Sequence, residues 1–139
     1  MIDTFDNIVD MQGLTLKQLH YEADTWKRSL AFIMDENIHL KNRLTEILKN
    51  GFEKSFLGRV EYFQSRFIKE DDRIGLIRDD VAEIDKLLVR EVLENEKAAK
   101  EINRKLARLR NNIVNAEIQF SELKSEFSNF LLEMYVTKN

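Results

Sequence analysis

The chain has 139 residues, no cysteine, no proline and four glycines, with 43% hydrophobic and 34% charged residues. Without cysteine there are neither disulfides nor thiolate metal sites, and without proline long helices lack the residue that most often breaks them. The formal net charge of −3 is too small to draw the whole molecule to a nucleic acid or other polyelectrolyte, so any such contact has to come from a local cluster.

The first segment, residues 1–13, carries Asp3, Asp6 and Asp10. It lacks the basic stretch followed by an apolar run that a secretory leader needs. No stretch approaches the roughly 18 apolar residues of a membrane span. The expected setting is cytoplasmic, with no membrane-spanning element.

A helix is predicted over about 15–50. Thr15-Leu16-Lys17-Gln18 matches a capping box, with Leu14 and Leu19 placed as its hydrophobic staple. From there Leu16, Leu19, Ala23, Trp26, Leu30, Ile33, Asn37, Leu40, Leu44 and Ile47 recur at alternating steps of three and four, the seam of a bundle or coiled coil. The series closes at Asn50-Gly51, where glycine can take the left-handed conformation that ends a helix.

The second predicted helix, about 53–93, has the seam Phe56, Val60, Phe63, Phe67, Glu70, Ile74, Ile77, Val81, Ile84 and Leu88. Gly75 lies inside it, and the expectation is a close approach by Leu30 or Trp26 rather than a hinge. The acidic residues around Glu70 and Asp80 read as a solvated face, because no loop has calcium-ligand spacing.

The third helix, about 96–136, repeats Ala99, Ile102, Leu106, Leu109, Ile113, Ala116, Phe120, Leu123, Phe127, Phe130 and Met134 without a polar interruption. Residues 89–98 hold neither glycine nor proline, so one continuous helix over about 53–136 with a four-residue stutter is the alternative. Three rods of about 35–40 residues pack best folded. That favours a turn near Glu94-Asn95-Glu96 and an all-α fold: an antiparallel three-helix bundle with coiled-coil-type packing, one domain over 1–139. Folding brings Phe56, Phe63 and Phe67 to the same end as Phe120, Phe127 and Phe130.

Several residues invite functional readings. Glu36 and His39 have the Glu-x-x-His spacing of di-metal carboxylate bundles. The second ligand set is missing, since the only other histidine, His20, lies on the same helix, so neither a metal nor a cofactor is expected. Asn37 and Glu70 are the polar members of their seams and are candidate register residues, either sharing a polar layer or edging toward solvent or a basic neighbour. In the basic run Lys97, Lys100, Arg104, Lys105, Arg108 and Arg110, the residues Lys100, Arg104 and Arg108 are candidate anion contacts. Glutamates interleave with the run, and no aromatic platform accompanies it. Apolar residues off the seams include Phe32, Ile38, Leu57, Tyr62, Ile68, Leu76 and Leu87. Phe32 and Ile38 are the candidate interaction surface.

The segments LKQLHYEADTW, VEYFQSRFIKEDD and SELKSEFSNFLLEM resemble those of a family of small, uncharacterised bacterial all-helical proteins. The resemblance implies three helices in the register of Leu19, Trp26, Phe63 and Phe127, and no catalytic or binding residue. Together these readings point to a non-enzymatic interaction or scaffold module. The expected partners are further copies of the chain or another helical protein. Contact of residues 97–110 with nucleic acid or an anionic membrane is the less favoured alternative.

Overall fold

The computed structural model describes residues 16–90 and 96–138. Thr15 of the capping box, the N-terminal segment and Asn95 lie outside them. The elements are α1, Leu16–Asn50; a 3-10 turn, Lys54–Phe56; α2, Leu57–Arg90; and α3, Glu96–Lys138. Every described element is helical, and the three helices form a bundle in which sequence neighbours run antiparallel.

The seams dictate this arrangement. Each buries its three-and-four series almost without exception, and only Ile47, Ala99 and Met134, near helix ends, are half-buried. Written as heptads with the seam at a and d, the e flank of α1 meets α2 and its g flank meets α3. On the e side, His20 and Lys27 both reach Asp85, and Lys41 reaches Asp71. On the g side, Glu22 pairs with Arg110 and Glu36 with Lys124. Charges on both flanks thus border the apolar seam, the arrangement that fixes pairing in helical bundles.

The helices are gathered into two compact units. The first comprises residues 16–31 of α1, 75–90 of α2 and 96–114 of α3. Its core is aliphatic around Trp26, which is 7% exposed. Arg110 clasps Glu22 with two nitrogens, Nε at 3.1 Å from both carboxylate oxygens and Nη2 at 2.8 Å from Oε1. Asp85 accepts from Lys27 at 2.7 Å and shares a hydrogen bond of 2.9 Å with His20 Nδ1. Partial burial alone would raise the Asp85 carboxyl, but the bonds to Lys27 and His20 outweigh it and hold the group below the usual carboxylate range.

The second unit comprises residues 32–74 and 115–138. Its core is aromatic: Phe127 lies 5.1 Å from Phe63 and 5.0 Å from Phe67 between ring centres, and Phe130 lies 5.8 Å from Phe56 and 5.2 Å from Phe63. The expected aromatic end is therefore present, with Phe120 buried as well. Arg59 covers it, its guanidinium 5.3 Å from the Phe56 ring and 5.0 Å from Phe130 while donating to Glu133 at 2.5 Å. That bond raises the Arg59 pKa and lowers that of Glu133.

The two glycines most relevant to helix shape behave oppositely. Gly51 has φ +83 and donates its N–H to the Ile47 carbonyl at 3.1 Å, the left-handed closure of α1. Gly75 does not pack closely against Leu30 or Trp26 as expected. A methyl added there meets nothing within 4 Å among the described residues, because the position directly follows seam residue Ile74 and faces outward. Gly75→Ala should therefore raise the unfolding free energy by about 0.5–1 kcal/mol through helix propensity, while Gly51→Ala should lower it by about 1 kcal/mol. Urea melts of the two variants measure both signs, and a loss of stability in Gly75→Ala would restore the close-packing interpretation.

Candidate interaction surface

Asn37 is 1% exposed, at a seam position of α1. Its Nδ2 donates to the Phe67 carbonyl at 3.0 Å and to Asp71 Oδ1 at 2.8 Å, while the other carboxylate oxygen of Asp71 accepts from Lys41. The asparagine thus bonds α2 rather than edging toward solvent. Its partner layer is Asp71 and Lys41. Glu70 is also buried, at 4% exposure, and accepts instead from Arg73 Nη2 at 3.3 Å, one turn along its own helix.

Around this polar layer, the α1–α2 face of the second unit carries apolar side chains in the open. Ile38, Leu48, Leu57 and Ile68 are 43–54% exposed. Leu48 is an e position of α1 and Leu57 an e position of α2, on the flanks that meet through Lys41 and Asp71. Ile38 and Ile68 are b positions one step further out on the same sides. The α2–α3 face of this unit is different. Arg59–Glu133 and the chain from Arg66 through the Tyr62 hydroxyl to Glu126 lace it with polar pairs. The bond to Glu126 also raises the Tyr62 pKa.

Phe32 and Ile38 are both exposed but do not share a face. Ile38 follows Asn37 on the α2 side, whereas Phe32 precedes Ile33 and lies on the α3 side, the flank of Glu36. At the end of the second unit, Ile47, Phe52, Phe56, Leu131, Met134 and Tyr135 line an open groove of about 460 Å³.

The chain matches no family model, no curated protein and no solved structure.

The remaining candidates are placed as follows. Glu36 pairs with Lys124 at 2.7 Å, His39 is exposed, and no group of three or more potential metal-ligating side chains occurs among the described residues. In the basic run, Lys105 turns to Glu83 at 2.9 Å and Arg110 to Glu22. Lys97, Lys100, Arg104 and Arg108 stay exposed on the outer side of α3, and Arg108 shares a shallow hollow of about 150 Å³ with Asp80 and Glu83. No described helix is long and apolar enough to cross a membrane.

Sequence reasoning named Leu57 and Ile68 only as off-seam apolar residues and missed Leu48. The available signal was the e flank: an apolar residue there widens a seam, and it stays exposed where the neighbouring helix offers nothing to cover it.

Proposed function

We propose that this chain is a non-enzymatic, cytoplasmic interaction module that self-associates through the α1–α2 face of its second unit. The observation that carries the reading is the cluster Ile38, Leu48, Leu57 and Ile68, each 43–54% exposed on one face. Apolar side chains grouped this way are removed from water when two such faces meet. Molar mass by light scattering after size exclusion tests it. The wild type is expected to show a dimer that Ile38→Glu, Ile68→Glu dissociates and Phe32→Glu, on the other flank, leaves intact. A wild-type monomer, or a dimer indifferent to the double substitution, sinks the reading.

A second reading, contact with an anionic surface, is favoured by one observation. With Lys105 and Arg110 drawn into ion pairs, Lys97, Lys100, Arg104 and Arg108 form a solvent-facing basic stripe. It predicts binding to a polyanion that weakens steeply with salt and is lost in Arg104→Ala, Arg108→Ala.

A further inference from the structure

We infer that the occupant of the α1–α2 face is a second copy of this chain related by a two-fold axis parallel to the helices, an assignment that rests on the self-association proposed above. The geometry starts from the polar layer. Asn37 and Lys41 both bond Asp71, and Asn37 also bonds the Phe67 carbonyl, so residues 37–41 lie beside residues 67–71. Counting along the antiparallel helices from there places Ile38 level with Ile68, and Leu48 within a turn of Leu57. The face therefore has an apolar pair at each end, with Thr45 and Gln64 and the charged Lys41 and Glu61 between them.

Two rotations bring such a face onto itself. Rotation about an axis parallel to the helices lays α1 on α2 of the second copy without changing level. Ile38 then meets Ile68, Leu48 meets Leu57, Lys41 meets Asp71, and the exposed Lys49 meets the exposed Glu61. Rotation about an axis across the helices, set midway between the apolar pairs, stacks α1 on α1 and α2 on α2 in reverse: Ile38 meets Leu48 and Ile68 meets Leu57, while Lys41 falls against Thr45 and Glu61 against Gln64. The second arrangement covers the apolar pairs but leaves Lys41 and Glu61 facing neutral side chains. The first covers them while opposing Lys41 to Asp71 and Lys49 to Glu61, against one like pair at its edge, Asp35 with Asp72. This balance of charges favours the first. Isologous packing repeats every contact twice, so each charge match counts double.

The test is a charge exchange at Lys49 and Glu61, both exposed and outside the core. In Lys49→Glu the new carboxylate faces Glu61 of the second copy; in Glu61→Lys the new ammonium faces Lys49. Each variant alone is expected to dimerise about tenfold more weakly than wild type, and their equimolar mixture is expected to recover wild-type association as a heterodimer. Sedimentation velocity between about 10 μM and 1 mM reads all three samples, with thermal melts checking that each variant folds. A wild-type dimer with unaffected variants, or a mixture no stronger than its components, overturns this geometry while leaving self-association standing. A wild-type monomer throughout that range overturns both.

Discussion

Phe127→Ala is expected to lower the free energy of unfolding by about 3–5 kcal/mol, the range for emptying a buried phenylalanine site. The side chain is fully buried, at 0% exposure, and packs against Phe63, Phe67 and Phe130 with ring centres 5.0–6.3 Å away. Removing it takes the centre out of a cluster supplied by two helices, so no single rotamer change can refill the space. Phe127→Leu keeps most of the volume and should cost about 1–2 kcal/mol. Phe32→Ala removes a ring that is 63% exposed and should stay within about 0.5 kcal/mol of wild type. Urea denaturation of the three variants decides the matter, and a Phe127→Ala loss below about 1 kcal/mol would mean that the aromatic core is not packed as described.

Glu70 and Arg73 should respond with opposite signs. The carboxylate sits at 4% exposure between Phe67 and Ile74 on the α2 seam, and Arg73 Nη2, 3.3 Å away, is the donor that reaches it. Arg73 itself keeps about a third of its side chain in solvent. Arg73→Ala leaves a buried carboxylate without its cation and should destabilise by about 3 kcal/mol, since the burial penalty remains when the compensation is gone. Glu70→Leu removes the charge that needed compensating, adds an apolar side chain to the seam and lets the arginine turn to water. It should be neutral or stabilising by about 1 kcal/mol. Equal losses in both variants would show that the pair stabilises the fold rather than being tolerated by it.

The seams were the legible part of the sequence, because burial along a long helix depends on periodicity that a single chain displays openly. Leu16 to Leu44, Phe56 to Leu88 and Ile102 to Phe130 are buried as their spacing requires. What periodicity does not carry is which flank meets which neighbour. The partner of Asn37, Asp71, stands 34 residues away in sequence, and choosing it over Glu70 requires the antiparallel register to within one residue. The separation of Phe32 from Ile38 has the same origin, since one precedes a seam residue and the other follows one. Gly75 was misjudged although the information was present. A residue directly after a seam position a points away from the core, and the missing side chain drew attention to a contact where there is open space.

Each compact unit takes one segment from every helix, and this restricts how the chain can change length. Inserting one residue into α2 near Gly75 would rotate Ile77, Val81, Ile84 and Leu88 by about 100° relative to the residues before it. Their places at the centre would fall to flank residues such as Asp80 and Glu83. Lengthening that preserves every contact comes as a whole heptad, added to all three helices at the same level. A fold with few loops to absorb insertions therefore varies by coordinated steps of seven, and neither unit can be cut out of the chain as a continuous, transplantable piece.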